Sequence, residues 1–171
     1  MDVETCTRTR WIGPWRVDAV EAGGLSLDGG SMFGSVPRGL WQKRIAPDAE
    51  HRIPLAMRLL LLRHRIEDRV VLIDTGIGDK FDATFAERFA VKAPDGESDG
   101  TLPLEVALGE LGVSLGEVTD VVLTHLHFDH GGGVSRRAAT GEVLPTFPTA
   151  THYLQRSNLE TAERPNSRER A

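Results

Sequence analysis

Hydrophobic residues occur in short runs along the chain, and these runs predict strands. Residues 55–65 and 70–73 are two such runs separated by a charged turn, which predicts a β-hairpin. The second run has no polar member, so both faces of that strand should be buried. Residues 121–123 form a similar run, and weaker patterns predict strands at residues 15–20 and 151–155.

Two stretches between the predicted strands have the periodicity of helices. Phe81, Phe85 and Phe89 are spaced four residues apart, so they would share one face of a helix. A second helix is predicted to begin at Pro103, a favoured first-turn residue, and to end near Gly112. Strands that alternate with helices predict an α/β architecture, which some schemes class as α+β.

The remaining stretches have no periodic pattern. Residues 1–14 predict a loose lead-in, and the glycine-rich residues 23–39 predict a loop with unusual backbone angles. Residues 92–101 predict a polar loop. The polar residues 160–171 predict no closing element.

The composition is typical of a globular protein, and we expect residues 1–171 to form a single domain. Acidic residues outnumber basic ones by 25 to 20, and this net charge of −5 argues against nucleic-acid or anionic-membrane partners. The single cysteine, Cys6, cannot form an internal disulfide, and the polar residues around it do not resemble a signal peptide. We therefore expect a cytoplasmic protein.

The segment HLHFDH, directly after the predicted strand at residues 121–123, carries the clearest chemical signal. Side chains two apart on a strand end point the same way, so His125 and His127 can converge on one cation. Asp129 and His130 can turn towards a second position as the chain leaves the strand. Imidazole nitrogens and a carboxylate suit zinc, or less often iron or manganese. Two such ions roughly 3.5–4 Å apart can activate water and polarise the bond under attack.

HLHFDH resembles the HxHxDH signature of the metallo-β-lactamase superfamily, and residues 71–76 resemble that family's earlier strand and turn. The resemblance covers residues 15 to about 155. It implies the family's four-layer αββα sandwich, of which only the first half is visible. We therefore expect the domain to be C-terminally incomplete, because the family's remaining metal ligands lie in its second half. His152 lies too early to match the family's third histidine.

The resemblance also implies roles for individual residues. His125 and His127 would bind a first zinc ion, and Asp129 and His130 a second. Asp129 would in addition be the catalytic residue that handles the proton of the attacking water or the leaving group. Asp74 would hold a metal ligand by hydrogen bonding, or would only cap the turn that follows its strand.

Residues 28–34 resemble a segment of a narrower branch, which includes N-acyl-homoserine lactonases and organophosphate hydrolases of the methyl-parathion type. Met32 and Phe33 could form an apolar wall of the substrate pocket. Alternatively, these two residues and Trp41 pack against the sheet.

The leading hypothesis is a zinc-dependent hydrolase of a small ester-like substrate, most simply a lactone. Organophosphate or thioester hydrolysis at the same metals is the alternative within enzymes, since activated water attacks carbonyl and phosphoryl centres alike. A truncated, non-catalytic metal-binding remnant is the alternative from another class. A homodimer that pairs two open sheet faces would be compatible with any of these functions.

Overall fold

A six-stranded mixed sheet is the frame of the structure, a computed structural model that describes residues 9–92 and 102–167. The strands are β1 (Thr9–Ile12), β2 (Trp15–Asp28), β3 (Arg52–His64), β4 (Val70–Ile73), β5 (Asp120–Leu123), β6 (Ser135–Arg137), β7 (Val143–Pro145) and β8 (Thr151–Leu154). The helices are α1 (Gly29–Phe33), α2 (Arg38–Trp41), α3 (Ala83–Arg88), α4 (Pro103–Glu110), α5 (Phe128–Gly131) and α6 (Arg156–Glu163). Short 3₁₀ turns lie at Leu115–Glu117 and Gly132–Val134.

The strand order of the main sheet is β1-β2-β3-β4-β5-β8, and β6 and β7 form a separate hairpin. The first four strands are antiparallel, whereas β4, β5 and β8 are parallel. The carboxyl ends of parallel strands meet at one edge of a sheet. Consequently the residues that follow β4 and β5 leave the sheet side by side.

The main core lies between one face of the sheet and α4. Most of its buried members come from β2–β5 and from α4, and they include Val20, Leu59, Leu61, Leu72, Val121, Leu104 and Leu108. A smaller apolar cluster of Leu25, Met57 and Ile77 packs against Phe81 and Phe85. Burial of this surface stabilises the sheet by about 25 cal/mol per Å² of apolar area.

The opposite face of the sheet is partly open. A row of neighbouring side chains crosses it through the paired residues Leu60, Ile73, Val122 and Tyr153. The two outer members, Leu60 and Tyr153, are 40% and 48% exposed. Among the described residues, no helix has both the length and the apolarity needed to cross a bilayer.

The predicted strands and helices agree with the observed ones in β3, β4, β5, β8 and α4. The loop predicted at residues 23–39 is wrong where it contains α1 and the start of α2. It is also wrong over residues 23–28, which extend β2, and residues 24–28 pair with residues 52–56 of β3. An irregularity between Glu21 and Gly24 makes this pairing possible, and Gly23 absorbs it with a φ of 106°. Strand β1 lies in the predicted lead-in, and α6 was not predicted. Cys6 and most of the loop predicted at residues 92–101 lie outside the described residues.

Asp120 at the start of β5 ties three parts of the sheet together. Its carboxylate accepts hydrogen bonds from Arg69 in the turn before β4 (3.1 and 3.2 Å), from the neighbouring Thr119 (2.7 Å) and from Tyr153 on β8 (3.1 Å). The Arg69 guanidinium lowers the pKa of Asp120, and the Thr119 hydroxyl lowers it further. Asp120 is 7% exposed, so the ionised form depends on these donors.

We expect Asp120→Asn to lower the free energy of unfolding at neutral pH by roughly 1–3 kcal/mol, because charged hydrogen bonds are lost. The folded-state pKa lies below the unfolded value of about 3.9, so this stabilisation is complete above that value. It disappears as the pH falls through the folded pKa, and the two proteins should converge there. Urea unfolding between neutral and acidic pH tests this. Asp68→Asn, in the exposed turn before β4, is the control and should change stability little.

Candidate metal centre

The HLHFDH segment lies at the carboxyl end of β5, beside the residues that follow β4. The chain leaves the sheet after Leu123, and the helical turn α5 begins at Phe128. This path gathers three imidazoles: the His125 ring centroid lies 4.6 Å from that of His127 and 4.1 Å from that of His130. The three histidines of the motif thus form one cluster, as their positions in the sequence predict.

Within the cluster the potential metal donors form two pairs. His125 Nε2 lies 3.1 Å from His127 Nδ1, and His130 Nε2 lies 3.5 Å from Asp129 Oδ2. Two nitrogens that share a tetrahedral zinc ion would lie about 3.4 Å apart, given zinc–nitrogen distances near 2.05 Å. The spacing of each pair is therefore compatible with two ligands of one ion.

The donor types fit a divalent metal ion, but the donors lie in pairs and not in a larger group. Among residues 9–92 and 102–167, no three His, Cys, Asp or Glu side chains have an arrangement that could hold a metal ion. Imidazole and carboxylate donors are nevertheless the ligand types that zinc binds in proteins. The assignment of His125, His127, Asp129 and His130 as ligands accordingly stays a prediction.

Asp74, which follows β4, contacts the histidine cluster through its carboxylate. Its Oδ2 lies 2.8 Å from His130 Nδ1, and its Oδ1 accepts a 2.8 Å hydrogen bond from the Thr124 backbone N–H. Asp74 is 5% exposed and has a φ of 62°, an angle that costs a non-glycine residue of order 1–3 kcal/mol. The backbone N–H of Asp74 donates to Val122 O (2.9 Å), which anchors the strained residue to β5.

The turn after Asp74 docks on the glycines after the motif through backbone atoms. Thr75 N donates to His130 O (2.7 Å), and Gly133 N donates to Gly76 O (2.9 Å). A Cβ on Gly132 would overlap the backbone of Ile77, and one on Gly133 would overlap Thr75 O. The glycines after the motif thus let the two loops approach closely.

Lys80 binds the same loop, and the sequence did not identify it as part of the site. Its ammonium donates to the carbonyl oxygens of Gly132 and of Ser135, the latter at 2.5 Å. Burial lowers the pKa of Lys80, and Arg137 lowers it further. No local signal could have identified this residue, since its partners lie more than fifty positions away in the chain.

The electrostatic surroundings favour a neutral His125. Burial lowers the pKa of its imidazole, and the neighbouring His130 and His127 lower it further, whereas Asp74 and Asp129 act in the opposite direction. A neutral imidazole is the form that binds a metal ion.

Aromatic side chains border the cluster. Phe128 packs on Phe85 and Phe89, with ring centroids 5.2 and 5.1 Å apart, and yet it is 37% exposed. Phe128 therefore also presents apolar surface next to its chain neighbour Asp129, and Leu126 is 36% exposed.

Met32 and Phe33 lie on α1, the short helix after β2. Phe33 stacks on Trp41 of α2, with centroids 5.3 Å apart and an interplanar angle of 9°, and Met32 is 47% exposed. Phe33 thus packs on Trp41, and both the pocket role of Met32 and Phe33 and their packing against the sheet stay predictions. His152 lies on β8, where its Nδ1 is 3.1 Å from Ala150 O.

The chain belongs to the metallo-beta-lactamase superfamily, whose sequence profile matches residues 60–145. The matched span contains Asp74 and the whole HLHFDH segment. No protein of curated function matches the chain.

Solved structures share the fold. A probable metal-dependent hydrolase from Staphylococcus aureus is 26% identical, with a TM-score of 0.79 over 94% of this chain and 54% of its own. AidC, a dizinc quorum-quenching lactonase solved with the product N-hexanoyl-L-homoserine, is 22% identical, with a TM-score of 0.66 over 93% of this chain and 48% of its own. AiiA of B. thuringiensis, solved as a mutant with N-decanoyl-L-homoserine bound at the active site, is 23% identical, with a TM-score of 0.58 over 88% of this chain and 52% of its own. The chain therefore spans about half the length of the structures that it matches.

Gly133→Ala tests the close approach of the two loops. The added Cβ overlaps the backbone of Thr75, so we expect the free energy of unfolding to fall by roughly 1–3 kcal/mol. Gly109→Ala is the matched control, because a Cβ at this exposed position of α4 meets no atom within 4 Å. Alanine there should stabilise the protein by roughly 0.5–1 kcal/mol. Urea unfolding measures both, and equal effects would contradict the steric argument.

Proposed function

We propose that this chain contributes the metal-binding motif of a zinc-dependent hydrolase that opens a small ester-like substrate, most simply a lactone. The observation that carries the proposal is the pairing of donors at the sheet edge: His125 with His127, and Asp129 with His130. The first pair would hold one zinc ion and the second pair another. When bound, the two ions would activate water and polarise the ester carbonyl.

The chain's own residues would orient this chemistry. Asp74 accepts from His130 Nδ1, which leaves His130 Nε2 as the nitrogen that faces Asp129. Such a carboxylate contact fixes the tautomer and direction of a ligating imidazole. The Asp129 side chain is 23% exposed, so its carboxylate could also exchange a proton with water or a leaving group.

The apolar surface beside the donors supports an acyl-bearing substrate. Phe128 exposes part of its ring next to Asp129 and is backed by Phe85 and Phe89. The solved structures of the lactonase AidC and of AiiA contain N-hexanoyl- and N-decanoyl-L-homoserine, in which a polar head carries an apolar chain. A site with metal donors next to an aromatic wall suits that combination.

A non-catalytic metal-binding module is the second candidate. The observation that favours it is the absence of a third donor at either pair among the described residues. Catalytic zinc normally keeps three protein ligands and reserves a further position for water. Zinc binding without turnover would favour this candidate, whereas lactone or organophosphate turnover would favour an enzyme.

His127→Ala tests the metal site. A lone remaining imidazole cannot complete a zinc site, so the variant should lose most of the zinc held by the first pair. Zinc content after dialysis measures this, and hydrolysis of an N-acyl-homoserine lactone by the same samples measures turnover. His152→Ala removes a histidine from β8 and should retain wild-type zinc content. Unchanged zinc in His127→Ala would contradict the ligand assignment.

Acyl-chain preference tests the substrate surface. If Phe128 contacts the acyl group, Phe128→Ala should weaken binding of N-decanoyl-L-homoserine roughly 3–10-fold more than that of the N-butanoyl compound, because the lost contact is apolar. Calorimetry with the zinc-loaded protein measures both affinities. Phe33→Ala applies the same test to α1. An equal effect on both chain lengths would favour a packing role for the residue that was changed.

A further inference from the structure

Thr124, the residue between β5 and the first histidine, contacts both Asp74 and His125. Its hydroxyl Oγ1 lies 2.8 Å from Asp74 Oδ2 and 3.0 Å from Asp74 Oδ1. The same oxygen lies 3.0 Å from His125 Nδ1. The hydroxyl therefore bridges the buried Asp74 carboxylate and the His125 imidazole. These contacts include no direct hydrogen bond between those two groups.

The protons of this bridge can be assigned from donor and acceptor chemistry. An ionised carboxylate only accepts hydrogen bonds, so the single hydroxyl hydrogen of Thr124 is directed to Asp74. The hydroxyl lone pairs remain for His125, and Nδ1 of that ring must then carry a hydrogen in order to donate. The other ring nitrogen, Nε2, then keeps its lone pair and accepts a hydrogen bond from His127 Nδ1–H (3.1 Å), a contact that a metal ion at Nε2 would replace.

We propose that Thr124 is a positioning residue, whose hydroxyl links the Asp74 carboxylate to His125 and holds that imidazole as its Nδ1–H tautomer, so that the Nε2 lone pair is available to a metal ion. Asp74 orients His130 directly, since His130 Nδ1 lies 2.8 Å from Asp74 Oδ2. One carboxylate thus orients two of the three histidines. The inference rests on the proposed function only where it concerns metal binding.

Two hydrogen bonds fix the backbone of Thr124 and thereby keep its hydroxyl in position for the bridge. Its N–H donates to Asp74 Oδ1 (2.8 Å), and its carbonyl accepts from Asn158 Nδ2 of α6 (3.1 Å). Helix α6 thereby supports the residue that precedes the motif. A hydroxyl on a fixed backbone loses little conformational entropy when it makes its two hydrogen bonds.

The test compares Thr124→Val, which keeps the side-chain shape but removes the hydroxyl, with Thr124→Ser, which keeps the hydroxyl. Imidazole ¹⁵N shifts of the zinc-free protein at about pH 8, where free imidazoles are neutral, report which ring nitrogen carries the hydrogen. We expect Nδ1–H at His125 in the wild type and in Thr124→Ser, and a mixture of tautomers in Thr124→Val. Thr151→Val, on exposed β8, is the control and should match the wild type.

Zinc affinity provides the second readout. Thr124→Val should bind Zn²⁺ roughly 10–100-fold more weakly, as expected when the support of a ligating histidine is removed, and Thr124→Ser should stay close to the wild type. A wild type that binds no zinc would contradict the proposed metal site, and the ¹⁵N shifts would still decide the role of Thr124. A His125 Nε2–H tautomer in the wild type overturns the inference even if Thr124→Val does not fold. An unchanged tautomer in a folded Thr124→Val overturns it as well.

Discussion

The site depends on one buried carboxylate, that of Asp74. Its desolvation is unfavourable unless donors surround it, and Thr124 and His130 supply them. The left-handed φ of Asp74 adds a further cost, which is offset by the same hydrogen bonds. Because the parallel pairing of β4 with β5 places Asp74 beside Thr124, the sheet topology is what makes the arrangement possible.

A second constraint is steric and concerns the backbone alone. The turn after Asp74 and the loop after His130 approach so closely that Gly132 and Gly133 have no room for a Cβ. The His130 carbonyl accepts a hydrogen bond from Thr75 N within this contact, and the Lys80 ammonium donates to the Gly132 carbonyl. The position of His130 is thus determined by its own backbone as well as by the carboxylate, and both constraints originate in the segment after β4.

The sequence predicts those parts of the fold and site that depend on local pattern. The strands β3, β4 and β5 have strong hydrophobic runs, and the spacing within HLHFDH brings its three histidines together. The extension of β2 over residues 23–28 was missed because it depends on pairing with β3, which overrides the local preference of glycines for loops. Lys80 and Thr124 were missed for a related reason, since their contacts join segments about fifty positions apart in the chain.

The hydrogen bonds that orient the donors are made within the protein, and this bears on how a metal ion would bind. His130 is held by Asp74, and His125 lies against Thr124, so the entropy cost of ordering these rings is met largely on folding. Binding to prearranged donors is tighter than binding to mobile ones, because less ordering remains to be done. His127 differs, since it is exposed and its Nδ1 contacts Nε2 of His125 itself at 3.1 Å. A metal ion at the first pair would therefore bind one imidazole that Thr124 supports and one whose ring contacts the other member of the pair.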